Sequence, residues 1–409
     1  MNGVVRDLDY RGRGVLRESG RVVFVAGALP GETVAYRITN AKKRFAEGVV
    51  TEVLQPSPER VTPPCPHYAR CGGCDLQHLA LAAQRRWKEN WWTGQLARHG
   101  GGVPETLWPL LADDGWHYRR RARLAVANGK MGFRARAAHE VVTTDQCLVL
   151  DERLNALLPA LARLLPQLPP VSEITLNAGD ANLAVAFASR AAPAQDILQD
   201  FAQMSGAAVW WGKEQIAGGT LAYQLPEFAV DIRYTPADFT QANAQLNRAM
   251  VAQAMRFLQP QPGERIADFF SGLGNFSLPM ARLGAEVVAL EGEQAMVKRA
   301  QALADAQQLP LHAARADLFT VTEKTLKNLG RFDAWLLDPP RAGAQALVSA
   351  IGKHSAPERI LYVSCDAATL VRDAAILRGK GYQLAGGGII DMFAQTAHLE
   401  SMALFVQEK

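Results

Sequence analysis

The sequence has no long apolar run. No stretch approaches the roughly 20 residues a helix needs to cross a bilayer, and the opening MNGVVRDLDYRGRG lacks the apolar core of a signal peptide. A cytoplasmic protein without a membrane partner is expected. Internal repeats and low-complexity tracts are also missing, which excludes a repeat architecture. Charge of one sign is not in excess: 44 Lys and Arg stand against 40 Asp and Glu, a formal net charge of +4 at pH 7. Any affinity for nucleic acid must therefore come from local clustering. Cysteine is scarce, with five residues in 409, and disulfides rarely persist in the cytoplasm. Those five are expected to serve a metal or chemistry. What the chain does have is a 48% hydrophobic share over 409 residues, enough for two or three separate cores.

The cysteines are not scattered. Cys65, Cys71 and Cys74 lie together in PPCPHYARCGGC, Cys147 follows later, and Cys365 stands alone in YVSCDAATLVRD. Four plus one is the arithmetic of a four-ligand metal site and a separate reactive thiol. For the four, spacing alone permits zinc or iron–sulfur. Cys365 falls where a buried strand ending in Tyr362-Val363-Ser364 meets a helix expected over 366–377. The first amides of a helix are unpaired and its dipole is positive there, an environment that lowers a thiol's pKa. On that residue alone, a buried and inert cysteine explains the placement as well.

Residues 1–55 form short alternating segments punctuated by Gly12, Gly14, Gly20 and Pro30-Gly31, the pattern of a small antiparallel barrel. Lys42, Lys43 and Arg44 beside Phe45 give one edge the mixed basic and aromatic character used to hold RNA, although a solvated loop accounts for them equally. QPSPERVTPP marks a linker. The following helix carries Trp87, Trp91 and Trp92, expected in a core. From His117 a hairpin is expected to turn at Asn128-Gly129. Between Tyr118 and Arg136 it carries seven basic residues and no acidic one, which suits an RNA backbone. The segment up to about 231 mixes helix and strand and shows no chemistry.

From about Tyr234, strands and helices alternate as in a doubly wound parallel sheet. Ligands bind beyond the carboxyl ends of such strands, and those ends carry Asp268, Glu291, Asp338 and Cys365. In DFFSGLGNFSL, Ser277 stands where a dinucleotide fingerprint needs its third glycine, which disfavours NAD. An acidic strand end and a short glycine turn fit S-adenosylmethionine. Glu291 is placed to accept the ribose hydroxyls, and Asp317 to meet the adenine amine. Arg341 follows the Asp338-Pro339-Pro340 run where amino-group methylases tend to carry an aromatic, so transfer to an exocyclic nitrogen is disfavoured.

With DFFSGLGNFSL, DPPRAG, YVSCDAATLVRD and HLESMALF in this order, the chain resembles the RNA uracil-5-methyltransferase family over nearly all its length. Within that family it looks most like a 23S ribosomal RNA branch that has both a cysteine cluster and a leading barrel of TRAM type. It starts almost on the first barrel strand, without a longer basic lead-in.

The resemblance implies an α/β multidomain chain. It would comprise an OB-like TRAM β-barrel over 1–55, a central α+β iron–sulfur domain over 56–235, and a class I, Rossmann-like methyltransferase domain over 236–409. It implies Cys365 as nucleophile and Glu400 as general base. Cofactor contacts are implied at Gln241, Phe270, Asn275, Glu291, Asp317 and Asp338, and a [4Fe–4S] cluster on Cys65, Cys71, Cys74 and Cys147. The expected partner is 23S ribosomal RNA, with no DNA, and the expected state is a monomer. The same reaction on another RNA, such as a second 23S site or the transfer-RNA T-loop, and a non-catalytic RNA-binding iron–sulfur protein are the alternatives.

Overall fold

The computed structural model describes residues 1–408 apart from Ser19 and Ala137; these two and Lys409 lie outside the described residues. Three sheets organise the chain, together with a short hairpin of Leu221–Leu225 and Val230–Tyr234. In the first sheet, six strands run in the order Asn2–Val4, Thr33–Ala41, Phe45–Gln55, Arg21–Ala26, Gly14–Glu18, Asp7–Leu8. The expected barrel is there, but not wholly antiparallel: Arg21–Ala26 and Phe45–Gln55 pair in parallel. A long connection through Thr33–Ala41 permits this, because that strand returns antiparallel along Phe45–Gln55 first. Val23, Val25, Val34, Tyr36 and Ala46 fill its core. Phe45 packs edge-to-face on Phe24 at 5.8 Å, while Lys42, Lys43 and Arg44 are exposed.

The central sheet has seven strands. Its hairpin, Arg121–Ala127 with Lys130–Arg134, turns at Asn128-Gly129 as expected, both residues having positive φ (51° and 71°). That backbone matches the strand twist, and few residues other than Asn and Gly adopt it readily. Part of the hairpin's charge is matched by acidic partners, however. Arg123 pairs with Glu173 at 2.7 Å, Arg136 with Asp75 at 3.2 Å, and Arg120 with Asp180. The carboxylates come from other segments, so the hairpin's own sequence hides them.

The third sheet carries eight strands in the order Leu311–Arg315, Glu286–Glu291, Arg265–Phe269, Ala334–Leu337, Arg359–Ser364, Glu400–Gln407, Tyr382–Ile390, Thr106–Leu107. The first five are parallel, and Glu400–Gln407 enters antiparallel beside Arg359–Ser364. Helix Leu81–Arg98 and strand Thr106–Leu107 pack onto this sheet across the expected division near 235. Trp92 is fully buried there, in one cluster with Phe269, Trp335 and Tyr362. Gly386 and Gly387 make room for the approach: a Cβ at Gly386 would stand 2.5 Å from Trp108, and one at Gly387 2.9 Å from Trp92. The core expectation for the tryptophans holds for Trp92, with Trp91 packed against the same cluster. Among the described residues no helix is long and apolar enough to cross a membrane.

Candidate active site

The antiparallel entry of the Glu400 strand determines what meets what. Its register pairs Ser401 with Ser364, so one residue further on Glu400 comes beside Cys365, 35 residues earlier in sequence. A third strand end contributes Asp338. The turn after it is tied down by Asp373, a fully buried carboxylate on the helix Ala367–Gly379 that follows Cys365. Asp373 accepts from the Ala344 amide at 2.7 Å and the Tyr362 hydroxyl at 2.7 Å, and pairs with Arg372 at 2.8 Å. A buried carboxylate is tolerated only when its lone pairs are used in this way. These bonds tie the segment after the Asp338-to-Arg341 turn to the Cys365 helix.

A cavity of ≈ 890 Å³ opens at these strand ends. Cys365, Glu400, Gln241, Phe270, Asn275, Glu291, Asp317 and Asp338 all line it. The eight residues singled out from the sequence therefore converge on one space. Phe270 holds a left-handed backbone, φ 66°, and Gly272 and Gly274 follow with φ 56° and 90°, so the turn bends back sharply under the cavity. Glu291 accepts from the Gly272 amide at 3.1 Å and the Glu293 amide at 3.0 Å, which fixes its carboxylate at the rim. Asp317 caps the Phe319 amide at 3.1 Å.

The electrostatics correct one expectation. The positive end of the Cys365 helix is not open to the thiol: Asp366, its N-cap, accepts from the Ala368 and Thr369 amides at 2.9 and 3.1 Å. Burial, then Glu400 and Asp338, push the Cys365 thiol up to about 12, with Arg341 acting in the opposite direction. Burial also raises Asp338 to about 7 and Glu400 well above the usual carboxylate range. Asp268 does not line the cavity. It is buried behind the glycine turn, bonded to Ser277, and raised to about 8 chiefly by burial.

A second cavity, of ≈ 400 Å³, is lined by Cys65, Cys71, Cys74 and Cys147. The cysteine loop docks on the end of the basic hairpin, with Cys71 bridging to Ala135 and the Gly72 amide donating to the Arg134 carbonyl at 3.0 Å. Asn155 pins Cys147, accepting from its amide and donating to its carbonyl, both at 2.9 Å. Among the described residues no three His, Cys, Asp or Glu side chains stand as a ready single-ion site. The four thiols nonetheless face one apolar-walled space.

Sequence reasoning missed the wall between the two cavities. Arg119, Phe239, Thr240, Gln241 and Phe393 line both. Phe393 belongs to the segment leading into Glu400, which Lys88 and Arg85 anchor through Asp391 at 2.7 and 2.9 Å and Gln84 anchors through Gln395 at 2.9 and 3.0 Å. A buried Lys and Gln on an otherwise apolar helix face were the available signal. Phe319 and Tyr223 at the large cavity were also missed.

Comparison with known proteins agrees with this geometry. Residues 224–408 match the tRNA (Uracil-5-)-methyltransferase family, and residues 5–51 match the TRAM domain. The chain is 46% identical over 418 residues to the 23S rRNA (uracil(1939)-C(5))-methyltransferase RlmD of Dichelobacter nodosus, covering 98% of each chain. It is 43% identical to the protein of that name from Azoarcus sp., again covering 98% of each. Among solved structures, a tRNA (uracil-54, C5)-methyltransferase of Pyrococcus abyssi in complex with S-adenosyl-L-homocysteine superposes with a TM-score of 0.80 at 24% identity. That match covers 99% of this chain and 100% of the other, and shows a shared fold.

Proposed function

Because the chain belongs to the RNA uracil-5-methyltransferase family, we propose that it methylates C5 of one uridine in 23S ribosomal RNA, as its full-length relatives are named for doing, from S-adenosylmethionine. The observation that carries this reading is the single cavity shared by Cys365, Glu400 and six candidate cofactor contacts. When bound, S-adenosylmethionine supplies an electrophilic methyl group on a sulfonium. The protein's own residues do the rest.

C5 of uracil is a poor nucleophile. Sγ of Cys365 adds at C6, the C5–C6 electron pair becomes an enolate, and C5 then takes the methyl group. The Glu400 carboxylate removes the proton left on C5, and those electrons expel Sγ, restoring the ring. Covalent catalysis of this kind replaces one difficult step with easier ones. Gln241 lines the same cavity, and its amide would bond the uracil and stabilise the enolate oxygen. The base must first leave its RNA stack, at a cost of about a few kcal/mol. Burial raises Cys365 and Glu400 alike, and Arg341 is the neighbouring cation that works against this at the thiol.

Cys65, Cys71, Cys74 and Cys147 would hold a [4Fe–4S] cluster. The donor set supports this: four cysteines line one cavity. Such a cluster would hold the cysteine loop against the basic hairpin, across the shared wall from Cys365.

The direct test offers 23S ribosomal RNA and transfer RNA with labelled cofactor, alongside mass spectrometry of RNA from cells lacking the protein. One lost 5-methyluridine in 23S ribosomal RNA is expected. Labelled transfer RNA with unlabelled ribosomal RNA would overturn the substrate, and no labelled RNA at all would overturn the activity.

A further inference from the structure

Three side chains at one side of the large cavity form a closed hydrogen-bond set. Tyr223 Oη donates to Asn275 Oδ1 at 3.0 Å, and Asn247 Nδ2 donates to the same oxygen at 3.0 Å. Asn275 Nδ2 donates back to Asn247 Oδ1 at 2.9 Å. The three come from separate elements: the short hairpin, the helix Ala244–Leu258, and the glycine turn. Tyr223 and Asn275 line the cavity, whereas Asn247 is 4% exposed and does not. Burial raises the Tyr223 phenol, so it remains a neutral O–H donor.

An amide offers two acceptor lone pairs and two N–H donors. Here both lone pairs of Asn275 Oδ1 are used, and so is one N–H. The single group left for a ligand is the second N–H. Elsewhere the cavity wall carries Glu291 and Asp317, which repel a carboxylate, and Arg119, Arg315 and Arg341, which attract one without fixing its orientation. A fixed, neutral N–H gives such a carboxylate a directional bond that a long guanidinium arm does not.

Building on the cofactor reading above, we infer that Asn247 and Tyr223 are positioning residues: they fix the Asn275 amide with its free N–H toward the cavity, and that N–H selects the carboxylate of the cofactor's amino-acid end. Asn247 acts without touching the ligand. Removing it lets the Asn275 amide turn and present its oxygen.

The test is calorimetry on the full chain with two ligands, S-adenosylhomocysteine and its decarboxylated analogue. Asn247→Ala is expected to weaken S-adenosylhomocysteine roughly tenfold, the scale of a hydrogen bond to a charged group, while the analogue changes less than about twofold. Tyr223→Phe, which keeps the ring and its packing, should shift the same ratio in the same direction by less. That milder variant keeps the test open if Asn247→Ala does not fold. Equal weakening of both ligands, or no change in either variant, overturns the inference and leaves the cofactor reading intact. A wild-type protein that binds neither ligand overturns both.

Discussion

Two cavities sharing one wall hold all five cysteines, and they treat a thiol in different ways. Burial pushes both Cys74 and Cys365 up to about 12, so neither region stabilises a bare thiolate. The neighbours then diverge. Around Cys74 the charges that oppose ionisation are other thiols, Cys147 and Cys71, with Gln77 and Arg119 against them. Around Cys365 they are carboxylates, Glu400 and Asp338, with Arg341 against them. Four mutually repelling sulfurs can all ionise only around a resident cation, which is what a metal centre supplies. One sulfur beside two carboxylates needs positive charge only while substrate and cofactor are present. The comparison teaches that burial depth does not separate a ligand cysteine from a nucleophile; the company it keeps does.

The largest effect should come from breaking the nucleophile. Cys365→Ala is expected to lower methylation by about 10⁴-fold or more and to abolish covalent capture of RNA carrying 5-fluorouridine, read on a denaturing gel. It should retain its full iron content; loss of iron would mean that the two cavities are one functional unit. Next, Glu400→Gln should slow turnover by about 10²- to 10⁴-fold, while an RNA adduct already methylated at C5 accumulates, seen by mass spectrometry. An unmethylated adduct would assign Glu400 to an earlier step. From the other side of the wall, Cys74→Ser should strip the brown colour of anaerobically purified protein and lower its iron. Affinity for S-adenosylhomocysteine should stay within about threefold, because five of the six cofactor contacts line only the large cavity and Gln241 alone lines both. A colourless, zinc-loaded wild-type protein from iron-replete anaerobic cells would refute the cluster.

Much of this site was legible because chemistry-bearing residues sit at strand ends, and a doubly wound sheet brings strand ends together whatever their distance in sequence. Cys365, Asp338 and Glu291 could be placed that way. Glu400 could not be placed by periodicity; its motif marked it, and the antiparallel register beside Ser364 explains it. What stayed hidden depended on partners from elsewhere. Glu173 and Asp180 pair with Arg123 and Arg120 of a hairpin that reads as bare positive charge. Asp366 occupies the helix end that the thiol was expected to use. The helix Leu81–Arg98 follows the cysteine loop in sequence yet packs on the catalytic sheet, because Trp92 and Leu96 find their core there. Local patterns report what a segment offers, not which distant group accepts it.

The smallest predicted effect is a pH dependence confined to the large cavity and the glycine turn in front of Asp268. Asp338 and Asp268, raised to about 7 and about 8, and Glu400, raised further above its ordinary range, bind protons more tightly folded than unfolded. Between the ordinary carboxylate range near 4 and those raised values, the folded state holds more protons than the unfolded chain, so stability falls as pH rises. Each such group contributes up to about 1.4 kcal/mol per pH unit across that window. The melting temperature of the ligand-free protein should therefore decline from about pH 5 to 8, and Asp268→Asn should flatten the decline without touching the cysteine cavity. S-adenosylmethionine brings a cation that its demethylated product lacks. At neutral pH its binding should release more protons than binding of S-adenosylhomocysteine, measured by calorimetry in two buffers of different ionisation enthalpy. Equal proton release for the two ligands would show that the sulfonium does not ionise this cluster, and the contrast between a resident and a visiting charge would fail.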